Sequence, residues 1–151
     1  MKRFIKVTAL IAVLLVTFSM IGCQNIAGNN EPATTAVFTC TDEGLTSTLY
    51  YYANNTWKMH ISGTAQSLIG NITCNYDDST GTYTGNPAVD GECTITITKK
   101  TNDMTLLGLF FTAKSITNDN LPLEDVENPT PETITITNGS FTRGEATFKR
   151  K

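Results

Sequence analysis

An alternation of apolar and polar residues runs through most of this chain and predicts β-strands. In the run CTITIT, from Cys93 to Thr98, cysteine and isoleucine occupy one parity and threonine occupies the other. That pattern is typical of a strand with one buried face. The run TWKMHI places Trp57, Met59 and Ile61 on one face in the same way, and GNITCNY, from Gly70 to Tyr76, repeats the pattern.

Turn-forming residues separate these runs. Asn54-Asn55 lies between LTSTLYYY and TWKMHI, a polar turn is predicted at residues 77–81, and Asn138-Gly139 follows TITIT. Asn-Gly between two strand runs is a strong hairpin signal. The pattern predicts about eight or nine short antiparallel strands forming an all-β domain. Closure into a small antiparallel β-barrel would remove the exposed edges, and a two-sheet sandwich is the alternative.

Two segments depart from the alternation. In LLGLFF, from Leu106 to Phe111, both parities are apolar, so we expect a strand that is covered on both faces or that carries an exposed apolar patch. The segment from Ile116 to Glu132 contains three prolines and five carboxylates. Its polarity and its prolines predict a long surface loop.

The chain begins with basic residues followed by an uncharged apolar run from Val7 to Gly22. This is the pattern of a secretory signal peptide, predicted over residues 1–22. The small, polar residues that follow predict a flexible tether over residues 23–35 and leave residues 36–151 as the folded domain. Fully extended, the tether would reach up to ~40 Å.

The tetrad Met20-Ile21-Gly22-Cys23 resembles the lipobox of bacterial lipoproteins. The resemblance implies that Cys23 is acylated on its sulfur and becomes the N-terminus after cleavage. A thiolate supplies the nucleophile for this modification. Two or three acyl chains give stable membrane anchoring. The resemblance to the lipobox therefore implies a lipid-anchored protein of the cell envelope, at the outer membrane or cell surface rather than the inner membrane.

Charge excludes one class of partner. Three of the eleven basic residues precede Cys23, so the chain from Cys23 onward carries eight basic and fourteen acidic residues, a net charge of −6. Nucleic acids are bound by clustered Lys and Arg. The clusters here are only the pair Lys99-Lys100 and the tail from Lys149 to Lys151, so no nucleic-acid partner is expected.

The runs GTYTGNPAVDGECTITITKK and ITNGSFTRGEATFKRK resemble segments of small spirochaete lipoproteins, notably treponemal ones, often described as lipocalin-like. The resemblance covers roughly residues 37–151. It implies a compact lipocalin-like antiparallel barrel and assigns no ligand-contacting residue. Lipocalins carry a Gly-x-Trp near the first strand, and Trp57 here follows Asn55-Thr56 instead.

Three cysteines remain after Cys23. An oxidising compartment permits one disulfide among them, and Cys74 with Cys93 is the candidate pair because both lie on apolar faces. Pairing of Cys40 with Cys74 or with Cys93, or three reduced thiols, are the alternatives. In a simple meander an intervening strand would hold Cys74 and Cys93 ~10 Å apart, beyond bridging distance.

No residues converge at a spacing that predicts catalysis, and we expect neither an enzyme nor a cofactor. His60 is the single histidine and lies on the face opposite Trp57. Zinc is disfavoured because the cysteines are widely spaced. The acidic run at residues 77–81 and the loop carboxylates do not follow the ligand order of a calcium loop. The loop carboxylates are Asp119, Glu124, Asp125 and Glu127.

These observations predict a membrane-anchored, non-enzymatic binding or interaction module. The contacts would be made by loop residues 118–132 or by the apolar segment 106–111, with a small apolar ligand or a protein as partner. A small ligand would require an interior cavity, lined by Tyr51, Trp57, Tyr76 and Phe110. The alternative is a structural or assembly component of the envelope without a ligand pocket.

Overall fold

A computed structural model describes residues 32–151 of the chain. Ten strands and one helix occupy this range, and the predicted signal peptide and Cys23 lie outside it. The elements are β1 (Thr34–Asp42), β2 (Leu45–Tyr52), β3 (Thr56–Ser67), β4 (Gly70–Gly85), β5 (Gly91–Thr101), α1 (Asp103–Thr112), β6 (Ser115–Thr117), β7 (Leu123–Asp125), β8 (Glu132–Ile136), β9 (Ser140–Arg143) and β10 (Ala146–Arg150).

The strands form one curled, mostly antiparallel sheet in the order β7-β5-β4-β3-β2-β1-β10-β9. Strand β8 also pairs with β5, and the short β6 pairs in parallel with β4. The β8-β9 turn connects the two sides of the curled sheet, and Thr137 and Ser140 exchange backbone hydrogen bonds of 2.8 and 3.0 Å across it. The prediction of a small antiparallel all-β, barrel-like fold is confirmed by this curled sheet.

Because consecutive strands are antiparallel, the strand connections lie alternately at the two ends of the barrel, and these ends differ. The turn end carries the start of β1 and the turns at residues 53–55, 86–90 and 138–139. The helix end carries α1 and the strand connections at residues 43–44, 68–69 and 144–145. The chain therefore enters the barrel at the turn end, far from the helix.

A single apolar core fills the space inside the curled sheet. Trp57, Met59 and Ile61 are buried there, as their alternation predicts. The indole of Trp57 lies over Gly81 on β4, and its Nε1 donates to the Thr82 carbonyl at 3.1 Å. A Cβ at Gly81 would collide with that indole nitrogen. The close approach of the indole to β4 therefore requires glycine.

The turn predicted at residues 77–81 is wrong, because these residues belong to strand β4. The polar run at residues 77–81 is the middle of a sixteen-residue strand, not the end of a hairpin. Asp78 is an extra residue in the ladder, since His60 pairs with Asp77 and Met59 pairs with Ser79. A β-bulge of this kind accommodates polar residues and bends the strand without ending it.

The domain boundary also shifts slightly. Strand β1 begins at Thr34, two residues before the predicted start of the domain, and Thr34 pairs with Tyr52. The Ala53 amide donates to the Ala33 carbonyl at 2.8 Å. The last residues of the predicted tether therefore belong to the barrel.

A carboxylate holds the turn end together. Asp90 accepts hydrogen bonds from the backbone amides of Asn138 and Gly139, and its Oδ1 lies 3.2 Å from Arg150 Nη2. The Arg150 guanidinium also stacks over the Phe38 ring at 5.4 Å. These contacts connect the β4-β5 turn, the β8-β9 turn and the last strand.

Candidate interaction surface

Helix α1 replaces the strand predicted for LLGLFF, and that prediction is wrong. The Asn102 side chain accepts hydrogen bonds from the amides of Met104 and Thr105, both at 3.1 Å, and so caps the first turn. Leu106 and Phe110, four residues apart, bury one side of the helix in the core. The signal in the sequence was Asn102-Asp103 ahead of this i, i+4 pair.

The outer side of α1 is apolar as well. Met104 is 75% exposed and Phe111 is 44% exposed. Gly108 lies between them on the helix surface, and a Cβ built there meets nothing within 4 Å. Residues at i, i+4 and i+7 share one face of a helix. On this face, Gly108 leaves a notch that is flanked by the exposed side chains of Met104 and Phe111.

More apolar surface lies at the same end of the barrel. Leu68 and Ile69 form the tip between β3 and β4 and are 55% and 56% exposed. Four of the five large apolar side chains that are exposed in residues 32–151 thus belong to the helix end. The fifth, Val89, is at the turn end. We call Leu68, Ile69, Met104 and Phe111 the apolar patch.

A cleft of about 530 Å³ adjoins this patch. One wall is the end of β5 with the first turn of α1, residues 100–104, and the other is residues 124–128. Strand β7 positions the second wall by pairing with the end of β5. The predicted contact segment 118–132 therefore lies opposite the first turn of α1, and the other predicted segment, 106–111, continues the same helix.

The cleft is lined mainly by polar and charged side chains. Lys100 pairs with Asp103 at 3.0 Å, and Lys99 pairs with Asp125 at 3.4 Å. The Asn102 amide nitrogen donates to Glu124 at 3.1 Å. Residues 118–132 are more ordered than a simple surface loop, since they include β7 and the fully buried Leu121.

The barrel interior is packed with side chains. Tyr51, Trp57, Tyr76 and Phe110, the residues predicted to line a cavity, are all buried members of the single core cluster. Arg143 also points inward, and its Nη2 lies 2.7 Å from Glu132 Oε2 across the β8-β9 junction. These four residues therefore fill the interior instead of lining a pocket for an apolar ligand.

Among residues 32–151, the bulge residue Asp78 carries the most deeply buried carboxylate. Its oxygens accept hydrogen bonds from Ser79 at 3.0 Å and Thr101 at 3.4 Å. Burial raises the pKa of Asp78 to about 6, and the nearby Asp103 adds to this rise. Asp78 lies beside the end of β5, so it faces the interior close to the helix end.

His60 has partners that the sequence did not reveal. Its Nδ1 lies 2.8 Å from Asp77 Oδ1, and its Nε2 lies 3.1 Å from Asn75 Oδ1. Lys58 adds a 3.8 Å ion pair with Asp77. Catalysis by this pair would require a nucleophile bonded to the imidazole, and the two ring nitrogens are both engaged by other groups. The cluster therefore crosslinks the outer face of β3 and β4.

The cysteines do not form the predicted pair. Cys40, Cys74 and Cys93 are free thiols. Cys74 lies opposite Gly63 near the start of β4, whereas Cys93 lies opposite Gly85 at its end, roughly 35 Å away along the strand. Disulfides need Cα atoms within about 7 Å, so the register argues against this pairing. Burial raises the pKa of Cys74 and of Cys93 to about 11, which keeps both thiols protonated.

No grouping of three or more metal-ligating side chains occurs within residues 32–151. In the same range no helix has the length and hydrophobicity needed to cross a membrane. Comparison of the chain with protein-family models, curated proteins and solved structures gives no significant match.

Proposed function

We propose that this protein is a bacterial lipoprotein of the cell envelope that acts as a non-enzymatic interaction module. Acylation of Cys23 would anchor the chain, and the barrel would present its helix end to a partner. The lipobox-like tetrad ending at Cys23 and the preceding uncharged apolar run support the anchor. The resemblance to small spirochaete lipoproteins points the same way.

One observation carries the interaction role: the apolar patch and the cleft lie at the end of the barrel opposite the point where the chain enters. A barrel tethered through the start of β1 would leave its helix end free for a partner, because the tether joins the opposite end. Exposed apolar clusters on soluble domains commonly mark interaction sites. Because side chains fill the interior, a protein partner is favoured over a small apolar ligand.

The anchor is tested by replacing Cys23 with serine in the bacterial host. We expect the wild type in the membrane fraction and the Cys23→Ser variant in the soluble fraction or retained with its signal peptide. Intact-mass measurement should show cleavage before Cys23 and added acyl chains only in the wild type. Cys40→Ser, which alters a thiol within the barrel, is the matched control. A wild type without acyl chains, or a cleaved Cys23→Ser variant that still partitions with the membrane as the wild type does, would contradict the proposal.

A further inference from the structure

The helix end combines exposed apolar side chains with a surplus of negative charge. We propose that it docks a protein partner whose contact surface is an apolar side chain surrounded by lysine or arginine. This inference rests on the proposed function, because it identifies the partner chemistry of the same surface. It is carried by three features: the shape of the α1 face, the charges around it and the poor fit of other occupants.

The α1 face supplies the apolar contact. Met104 and Phe111 project from the helix on either side of Gly108, where the space above the backbone is open. One apolar side chain of a partner could enter this notch and contact both residues. Burying an aromatic or aliphatic side chain contributes roughly 1.5–3 kcal/mol, enough to make such a contact a main source of affinity.

Carboxylates outnumber lysines at the helix end. Of the lysines there, Lys99 and Lys100 are paired with Asp125 and Asp103, and Lys114, which follows α1, is exposed. Glu124 and Glu127, both exposed, add negative charge to the cleft. The acidic residues of the cleft and the neighbouring connections are Asp42, Glu43, Asp103, Glu124, Asp125, Glu127 and Glu145. Complementary charge selects a cationic partner and speeds its association.

Two other occupants fit this surface less well. Bacterial bilayers commonly carry anionic lipids, which would repel the acidic surroundings of the patch. A second copy would bring two identical acidic surfaces together, and like charges facing each other oppose association. Neither objection applies to a protein that presents lysine or arginine around an apolar residue.

The probe for a direct test is a fluorescein-labelled synthetic peptide of alternating lysine and leucine, titrated against the full chain purified in detergent. Fluorescence anisotropy should show binding that weakens with added salt. The Met104→Ser/Phe111→Ser double variant should weaken binding roughly tenfold, and so should Glu124→Gln/Glu127→Gln. The peptide with glutamate in place of lysine should bind at least tenfold more weakly to the wild type.

Matched controls come from the turn end. Val89→Ser removes an exposed apolar side chain and Glu92→Gln removes an exposed carboxylate, and both should bind the peptide as the wild type does. Circular dichroism of every variant should match the wild type, because the substituted side chains are exposed. Equal binding by all variants, or equal binding of the glutamate peptide, would overturn the proposal.

Two further measurements detect the other occupants. New hydrogen-exchange protection of α1 when the full chain is placed in vesicles of phosphatidylcholine and phosphatidylglycerol would assign the surface to lipid and overturn the proposal. A dimer in sedimentation velocity that the Met104→Ser/Phe111→Ser variant abolishes would do the same in favour of a second copy. Soluble Cys23→Ser protein should bind the peptide as the wild type does, because Cys23 is not part of the helix end, and loss of that binding would overturn the proposal. Peptide binding by a wild type that carries no acyl chains would refute only the lipid anchor.

Discussion

The two ends of the barrel are built from different kinds of interaction. At the turn end, short polar turns are held by local hydrogen bonds and by the contacts of Asp90 with Asn138, Gly139 and Arg150. At the helix end, α1 and β7 are held by long-range packing and leave apolar side chains exposed. The comparison shows that the turn end covers its apolar side chains, apart from Val89, whereas the helix end leaves four of them exposed.

The largest expected difference between the ends is in pH dependence and concerns Asp78. Its pKa is about 6 in the folded protein, against an ordinary value of 3.8. As pH falls from above 6 to below 3.8, the folded state takes up its proton first, so the free energy of unfolding should rise by about 3 kcal/mol. Asp78→Asn should remove this contribution.

The measurement is urea unfolding of the full chain, followed by Trp57 fluorescence at several pH values from 7 to 4. Other carboxylates also titrate in this range, so the quantity compared is the difference between wild type and variant. At pH 7 the free energy of unfolding should be higher for Asp78→Asn than for the wild type. As the solution is acidified, the difference should shift in favour of the wild type. A difference that does not change with pH would contradict the assignment.

A second comparison uses the same substitution at two glycines. At Gly81 an added methyl group would collide with the Trp57 indole and the Thr96 carbonyl, so Gly81→Ala should lower the free energy of unfolding by roughly 1–3 kcal/mol. At Gly108 in α1 the space is open, so Gly108→Ala should raise it by up to about 1 kcal/mol. Thermal unfolding of both variants would check the opposite signs.

The cap of α1 gives a smaller and local effect. Asn102→Ala removes the side chain that accepts from Met104 and Thr105 and donates to Glu124. Loss of an N-cap costs roughly 0.5–2 kcal/mol. Hydrogen exchange should accelerate in the first turn of α1, while amides near Gly139 keep their rates. Faster exchange at both ends would show that the two ends unfold together.

The smallest expected effect is at Asp90, and its sign is opposite to that of Asp78. The Gly139 amide, together with Asn138 and Arg150, holds the pKa of this exposed carboxyl below its ordinary 3.8. Its contribution to stability is therefore present above pH 3.8 and lost as pH falls through the lowered pKa. Asp90→Asn should be less stable than wild type at pH 7, and urea unfolding below the lowered pKa should show the two converge.

Much of the turn end could be predicted from the sequence because its signals are local. Alternation at residues 57–61 and 93–98 correctly indicated buried strand faces. Asn138-Gly139 correctly indicated a hairpin turn, in which both residues have positive φ angles of 50° and 67°. In each case a strand period or a turn preference acts within a few residues.

The helix end could not be predicted in the same way. LLGLFF is apolar on every side, so its period did not distinguish a strand from a helix, and the cap at Asn102 was overlooked. The acidic run at residues 77–81 has the composition of a turn, yet pairing with β3 and β5 keeps it in a strand. The proximity of residues 100–104 and 124–128 depends on long-range pairing that no local pattern records.

The pairing of β1 with β10 has a consequence for biogenesis. A polypeptide that is synthesised from its N-terminus exposes the free edge of β1 until the last strand has been made. The Phe38 ring is covered by Arg150, which is synthesised more than a hundred residues later. Closure of the sheet would then be among the last steps of maturation, and nascent chains would depend on chaperones to keep that edge from aggregating.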